Sequence, residues 1–264
     1  MSRPEPYCDP YLPYTGGDAV RKQKIAAEAV AKSGKRWDAF YKSNQTNFFK
    51  DRHWVEAEWP EISSAASGVV LDVGCGVGNT MFPLMQVNAG LHFRAFDVSA
   101  TAVQLVRDNA DFDPSRIDVF VCDVTREPVP VADASCDFAI VVFVLSALTS
   151  ESFQRVIDEI VRCLKPGGLL YIRDYAVGDV AQERFEATAA KNKLGDNLFL
   201  RRSDGTTSYF FDTDTVRSWF SEPSMCVEVE KCEVIERVVE NRKQNVSMRR
   251  KFIQAVVRKR PAEF

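Results

Sequence analysis

Short apolar runs recur at regular distances from Val69 onward, and the segments between them have helical periodicity. Apolar runs bounded by glycine, proline or polar clusters are typical of strands that are buried on both faces of a sheet. Five such strands are expected, at residues 69–73, 91–96, 117–122, 136–144 and 168–173. Because strands that alternate with helices form parallel sheets, the pattern predicts an α/β fold of the Rossmann-like, doubly wound class.

The chain after the fifth strand has a different pattern. Aromatic residues flank Asp204-Gly205, which predicts a β-hairpin at residues 199–211. Helices are expected on either side of it, at residues 180–193 and 213–220. Two late strands, at residues 227–239 and 252–257, should complete a mostly parallel, seven-stranded sheet with an antiparallel C-terminal edge. The basic residues between these strands, which include Arg249 and Arg250, would then lie in a solvated hairpin loop.

Composition divides the chain into three regions. Residues 1–17 are rich in proline and glycine, which predicts a flexible arm. Residues 18–66 should form a helical region, in which Asp18 caps a helix that Gly34 ends. The main domain is expected at residues 67–260, with the hairpin as an insertion at about residues 195–212.

The first predicted strand ends in three alternating glycines, Gly74, Gly76 and Gly78. Glycines at such a position let the chain turn and let a ligand approach the backbone. A dinucleotide site requires a further glycine where this chain has Asn79, so the spacing disfavours pyrophosphate binding. Asp97 follows the second strand, where its carboxylate can accept both ribose hydroxyls, unless it only caps the next helix. Loop and acid together favour an adenosine ligand without a diphosphate, which describes S-adenosylmethionine.

Two further segments hold candidate ligand residues. Asp123 follows the third strand, where it can accept the adenine amino group while Val124 meets the ring, or it can simply cap its own loop. Aromatic and cationic residues alternate from residue 35 to residue 54, and Trp37 and Tyr41 share a helical face. This alternation suits stacking on bases or on adenine with phosphate contacts, but it also suits a covering helix with a packed aromatic face.

Bulk properties restrict the alternatives. A formal net charge of −3 excludes a surface that is basic throughout, so contact with RNA would have to be regional. The seven cysteines are scattered and the chain starts without an apolar signal segment, which predicts reduced thiols in a cytoplasmic or nuclear protein. Neither His53 nor His92 lies at zinc-ligand spacing from cysteine, so no metal is expected. The longest apolar run, at residues 138–145, is too short for a membrane span.

Six segments resemble the tRNA N3-methylcytidine methyltransferases, specifically their short methyltransferase-like type 6 group. The resemblance covers about residues 35–257. The glycine loop is shared by all class I methyltransferases, whereas the second, fifth and sixth segments are specific. The segments are W-D-x-F-Y at 37–41, F-F-K-D-R-H-W at 48–54, G-C-G-V-G-N at 74–79, F-V-L-S-A at 143–147, R-D-Y at 173–175 and D-G-T-x-S-Y-F-F at 204–211.

The resemblance implies a class I fold with an N-terminal helical lid, S-adenosylmethionine as cofactor, and cytidine 32 of a tRNA anticodon loop as substrate. For the short group it implies a serine tRNA, with seryl-tRNA synthetase as a partner. The lack of the long N-terminal extension of the sister group, which modifies threonine and arginine tRNAs, favours the same assignment. Carried over by position, the cofactor contacts are Trp37, Tyr41, Gly74, Asp97, Asp123, Val124 and Val142.

Cytosine N3 already carries an available lone pair, so methyl transfer to it requires positioning rather than a strong base. We expect Asp174 to contact the exocyclic amine of the flipped base and to stabilise the charge that methylation creates, unless it only caps its strand. Tyr175 and Phe199 are the candidates for stacking on that base. Phosphate contacts and other RNA contacts are expected from Lys35, Lys50, Arg52, His53, Arg201, Arg202, Arg249 and Arg250.

Three other functions share parts of this pattern. A class I methyltransferase of proteins or small molecules would keep the glycine loop, but it has no need of the aromatic and cationic segment. A non-catalytic adaptor that binds S-adenosylmethionine would keep Gly74 and Asp97 without turnover. A nicotinamide oxidoreductase is disfavoured by Asn79.

Overall fold

The computed structural model describes residues 20–261 except positions 21, 23, 26, 30, 189–191, 202 and 242–245. The predicted arm at residues 1–17 and the predicted cap Asp18 therefore lie outside the described residues. Residues 33–63 contain three helices before the sheet, namely α1 (Ser33–Asn44), α2 (Trp54–Glu58) and α3 (Pro60–Ser63). The described positions between residues 20 and 31 are also helical.

One large sheet forms the centre of the protein. Its strands are β1 (Gly68–Val73), β2 (Leu91–Asp97), β3 (Ile117–Val121), β4 (Cys136–Val142), β5 (Leu164–Tyr175), β8 (Val227–Asn241) and β9 (Val246–Lys259). Their order is β3-β2-β1-β4-β5-β9-β8. The first five strands run parallel, and β9 lies between β5 and β8 and pairs antiparallel with both. The predicted mostly parallel sheet of seven strands with antiparallel pairing at its C-terminal edge is confirmed.

Helices lie between three pairs of successive parallel strands, and two further helices and a small hairpin follow β5. The helices are α4 (Met81–Val87), α5 (Ala100–Arg107), α6 (Ser150–Cys163), α7 (Val180–Glu186) and α8 (Thr213–Ser218). The hairpin strands are β6 (Leu198–Leu200) and β7 (Thr207–Tyr209), which pair antiparallel around the predicted turn at Asp204-Gly205.

Apolar side chains bury both faces of the sheet. On one face, α6 presents Phe153, Val156 and Ile160 at helical spacing to the strands. On the other face, α4 and α5 pack beside the segment that contains α2 and α3, where Trp59 and Ile62 are fully buried. The strand ends that carry the site are therefore fixed from both sides.

Two local predictions were wrong. Gly34 does not end a helix but lies inside α1. A Cβ at this position would come within 2.9 Å of a methyl group of Val98. Glycine at this position allows close packing of α1 on the loop after β2. Arg249 and Arg250 lie in β9 rather than in a loop, because β8 and β9 extend past the predicted ends and pair as far as Asn241 and Val246.

Among the described helices, none combines the length and the apolar character needed to cross a membrane.

Candidate active site

The backbone of the glycine loop between β1 and α4 lies in close contact with α1. Gly74 and Gly76 have φ values of +61° and +57°, a region that side chains rarely adopt. A Cβ on Gly74 would come within 2.6 Å of Val144, and one on Gly76 within 2.7 Å of the Tyr41 hydroxyl. The loop can therefore adopt this shape only because these two positions carry no side chain.

A cavity lies between this loop, α1 and the carboxyl ends of β1 to β4. We call it the loop cavity. Six of the seven residues predicted to contact a cofactor line it, namely Trp37, Tyr41, Gly74, Asp97, Asp123 and Val124. The seventh, Val142, is buried in the core beneath it, and the next two residues along the chain, Phe143 and Val144, line the cavity instead. The cavity lining on this strand therefore begins one residue after Val142, and the cofactor contacts themselves stay predictions.

Asp97 is held at the loop cavity by backbone groups. Its carboxylate accepts hydrogen bonds from the backbone N–H groups of Gly76, at 3.0 Å, and Ser99, at 2.9 Å. The cap of α5 is Ser99, whose side chain accepts from the Ala102 N–H. Burial raises the pKa of Asp97 to about 6, although the backbone donors oppose this shift. Each carboxylate oxygen keeps a further lone pair for a ligand.

Asp123 is more exposed than Asp97 and holds its own turn. One carboxylate oxygen accepts from the Thr125 hydroxyl, at 2.5 Å, and backbone N–H, at 3.2 Å, and the other lies 3.3 Å from the Arg126 guanidinium. Both predicted roles of Asp123 therefore remain compatible with its position, since it caps the loop and also lines the cavity.

The segment at residues 48–54 fastens onto the end of the glycine loop. The Arg52 guanidinium donates to the Thr80 hydroxyl at 2.7 Å and lies 5.5 Å from the centre of the Phe143 ring. The Asn79 amide donates to the Asp51 carboxylate at 3.0 Å. Arg52 is half-buried, and burial lowers its pKa against the opposing effect of Asp72 and other acids. The structure thus turns Arg52 inward, towards the site.

Asp72 is a buried acid just before the glycine loop. Its Oδ2 atom has no hydrogen-bond partner among the described residues. Burial raises the pKa of Asp72 to about 7, and the nearby Arg52 opposes this shift. A buried acceptor without a partner is costly, so Asp72 is suited to accept a cationic group of a ligand at this end of the sheet.

Asp174 lies at the carboxyl end of β5 and is fully buried. Its two oxygens accept from the backbone N–H groups of Ser146, at 2.9 Å, and Tyr175, at 2.8 Å. Burial raises its pKa to about 6. The Tyr175 ring packs on Phe143, with ring centres 5.1 Å apart, and the Arg250 guanidinium lies 5.6 Å from its centre.

The other predicted stacking residue, Phe199, was wrong. It is fully buried and stacks on Phe185 with ring centres 5.4 Å apart. The alternation in the hairpin places this side chain on the inner face, where no base can reach it.

A second cavity, of about 450 Å³, opens behind Tyr175. We call it the arginine cavity. It is enclosed by α7, the hairpin and β9, and its lining includes Tyr175, Arg184, Phe185, Arg201, Phe210 and Arg250.

The predicted RNA contacts fall into three groups. Lys35, Lys50, His53 and Arg249 are exposed. Arg201 and Arg250 line the arginine cavity, and Arg52 is half-buried against Thr80 and Phe143. Arg202 lies outside the described residues.

Three contacts were not predicted from the sequence. Asp38 accepts from the Thr101 N–H at 2.9 Å and so fastens α1 to the start of α5. The Arg36 guanidinium donates to the carbonyl of Gly205, which joins α1 to the hairpin turn. Phe143 adopts a φ of +60°, which is uncommon for an aromatic residue, and lies between the two cavities. Asp38, Gly205 and Phe143 lie in segments that the sequence analysis singled out, but the sequence did not indicate which contacts they make.

Within the described ranges, no group of three or more histidine, cysteine, aspartate or glutamate side chains is placed to hold a metal ion.

Comparison with known proteins identifies the family. A methyltransferase domain model matches residues 70–168. The chain is 38% identical to the tRNA N(3)-methylcytidine methyltransferase Mettl2 of Drosophila melanogaster, over 92% of this chain and 75% of that protein. It is 37% identical to the human tRNA N(3)-cytidine methyltransferase METTL6, over 91% of this chain and 84% of that protein.

Solved structures agree on the fold. A SAM-dependent methyltransferase from Methanosarcina mazei superposes with a TM-score of 0.59 at 18% identity, covering 74% of this chain and 94% of that chain. At this identity the likeness concerns the fold alone, whereas the curated relatives match nearly the whole chain. The chain therefore belongs to the tRNA N3-cytidine methyltransferase family.

Proposed function

We propose that this protein transfers a methyl group from S-adenosylmethionine to N3 of cytidine 32 in the anticodon loop of a tRNA. A serine tRNA is the proposed substrate, and seryl-tRNA synthetase the proposed partner. The observation that carries the proposal is the position of Asp174 and Tyr175 at the end of β5. The Tyr175 ring contacts Phe143, which lines the loop cavity, and Tyr175 itself lines the arginine cavity. A cofactor and an RNA loop can therefore approach the same strand end.

The residues at the loop cavity fit S-adenosylmethionine. Asp97 offers acceptors for ribose hydroxyls, and Val124 and Trp37 offer apolar surface for an adenine ring. Asp72 does not line the loop cavity, but it precedes Val73, which does, and its unpartnered oxygen is the proposed acceptor for an ammonium group. When bound, this cofactor supplies an electrophilic methyl group on a sulfonium.

The chain's own residues then have positioning tasks. Tyr41 and Trp37 cover the loop cavity and exclude water from it. Asp174, held by two backbone donors, presents a fixed negative charge near the site where the base becomes cationic. Because N3 of neutral cytosine needs no deprotonation, no general base is assigned.

The direct test is transfer of labelled methyl from S-adenosylmethionine to purified serine and threonine tRNA transcripts, each with and without the matching synthetase. Nucleoside mass analysis identifies the product. We expect N3-methylcytidine on serine tRNA, with a stronger signal when seryl-tRNA synthetase is present. Methylation of threonine tRNA alone would contradict the serine assignment, and tight cofactor binding without any methylcytidine would redirect the substrate to proteins or small molecules.

Cofactor binding should weaken about ten-fold between pH 8 and pH 5. The folded-state pKa values of Asp97 and Asp72 are raised to about 6 and about 7, so both acids become protonated as the pH falls through this window. Protonated acids lose their charge-assisted hydrogen bonds to the ligand. Calorimetric titration with S-adenosylmethionine at each pH measures the effect. An affinity that is constant from pH 5 to pH 8 would exclude ionised acids from the binding site.

A triple variant, Lys35→Ala with Lys50→Ala and Arg249→Ala, should bind tRNA about ten-fold more weakly at low salt. These exposed cations are proposed to contact phosphates, so their removal should also reduce the slope of log affinity against log salt by about 2. Anisotropy of a labelled tRNA across a salt series measures both quantities. The matched control is Arg260→Ala, an exposed cation at the opposite end of β9. An unchanged slope in the triple variant would exclude these three contacts.

A further inference from the structure

The arginine cavity has more positive than negative charge. Arg250 is paired at 2.9 Å with the buried Asp179 and is thereby neutralised. Arg201 is 3.9 Å from Asp204, at the outer limit of an ion pair. Arg184 has no carboxylate at ion-pair distance among the described residues. Two guanidinium groups are therefore available to an anion, and such groups are suited to bind phosphate.

Part of the wall of the arginine cavity is aromatic. The rings of Tyr175, Phe185 and Phe210 meet there, with ring centres of Tyr175 and Phe210 5.8 Å apart. The side chains of Ser208 and Asn192 add polar groups to the lining. An aromatic wall beside cations is the combination that binds single nucleotides, because the base packs on rings while its phosphate meets the cations.

The arginine cavity is separate from the loop cavity. The two have no lining residue in common, and the rings of Phe143 and Tyr175, 5.1 Å apart, stand between them. A base inside the arginine cavity is therefore one ring pair away from the methyl donor site. This distance suits a neighbour of the target nucleotide rather than the target.

We propose that the arginine cavity binds the nucleotide on the 3′ side of the target cytidine. Its base lies against the aromatic wall and its phosphate meets Arg184 and Arg201. Cytidine 32 is the first nucleotide of the anticodon loop, so its unpaired neighbour is on this side. Holding that neighbour turns the loop backbone so that the target base reaches Asp174. This inference rests on the proposed function and adds a second RNA subsite to it.

A pair of tryptophan variants at exposed positions tests the cavity. Thr188 is exposed and lines the arginine cavity, so Thr188→Trp fills it from its rim. Ala187 is also exposed but does not line the cavity, which makes Ala187→Trp the matched control. Dissociation constants are measured by anisotropy with labelled anticodon arms that are intact, abasic at the 3′ neighbour, or abasic at the target. Binding is measured without methyl transfer, so the outcome does not depend on catalysis.

The intact arm should bind Thr188→Trp about ten-fold more weakly than wild type, and Ala187→Trp within two-fold of wild type, in line with stacking energies. The 3′-abasic arm should bind wild type and Thr188→Trp equally, while removal of the target base should still weaken both proteins. Unchanged affinity of Thr188→Trp for the intact arm would overturn the proposal. If Thr188→Trp instead loses its sensitivity to the target base, the cavity holds the target.

Discussion

Asp97→Asn should weaken the binding of S-adenosylmethionine about 100-fold. The proposed role of Asp97 is to accept both ribose hydroxyls, and hydrogen bonds to a charged acceptor contribute more than those to a neutral amide. A 100-fold change corresponds to about 2.8 kcal/mol, which two weakened charge-assisted bonds can supply. Calorimetric titration at pH 8 measures the loss, because Asp97 is ionised above its raised pKa of about 6.

Two controls separate this effect from damage to the fold. Asp97 also accepts from the Gly76 and Ser99 N–H groups, so the thermal unfolding midpoint of the ligand-free variant must be compared with wild type. Asp118→Asn removes an exposed acid of β3 that pairs with Arg94 away from the loop cavity, and it should leave cofactor affinity unchanged. If Asp97→Asn folds normally and binds the cofactor as wild type does, the ribose assignment is incorrect.

Asp174→Asn should lower kcat about 100-fold while the dissociation constant of S-adenosylmethionine stays within about two-fold of wild type. The carboxylate is proposed to stabilise the positive charge that develops on the methylated base, and removal of one fixed electrostatic partner costs about this much. The measurement is single-turnover methyl transfer to tRNA with saturating cofactor. Normal turnover in a folded variant would leave Asp174 only the strand-end role that its two backbone contacts already show.

The pH profile gives an independent check on Asp174. Burial raises its pKa to about 6, so the ionised form predominates only above that pH. In wild type, kcat should rise between pH 5 and pH 7 and then stay level. Asp174→Asn should lack this rise, whereas Asp174→Glu, which keeps an ionisable group, should retain one. A structural role would change the rate of every variant without altering the shape of the profile.

The sheet could be predicted from the sequence because its signal is local. Apolar residues recur through each strand, continuously in β1 and β4 and at alternate positions at the start of β2 and β3. The strands β1 to β4 therefore begin within one residue of their predicted positions. The start of β9 was missed because this strand begins with exposed polar residues such as Ser247 and Arg249, which resemble a loop in sequence. Gly34 was assigned to a helix end because the close contact with Val98 that requires glycine joins distant parts of the chain.

The features of the candidate site also fall into those that the sequence predicts and those that depend on tertiary contacts. Gly74, Asp97 and Asp123 follow strands directly, so the doubly wound topology places them together at one edge of the sheet. The arginine cavity has no such signal, because it combines β5, α7, the hairpin and β9. The inward position of Arg52 also depends on tertiary contacts, namely those with Thr80 and Phe143.

Because Trp59 and Ile62 are fully buried, truncation of the helical region before the sheet should destabilise the fold. Trp59 stacks on Tyr171 of β5 with ring centres 4.9 Å apart, and Glu58 forms an ion pair with Arg173 in the same strand. A truncated fragment that starts at Gly68 would expose this face of β5 and leave the Arg173 guanidinium without its carboxylate. Loss of one buried aromatic alone costs about 3–5 kcal/mol, a large share of the stability of a typical domain. The shortest autonomous folding unit therefore includes α2 and α3.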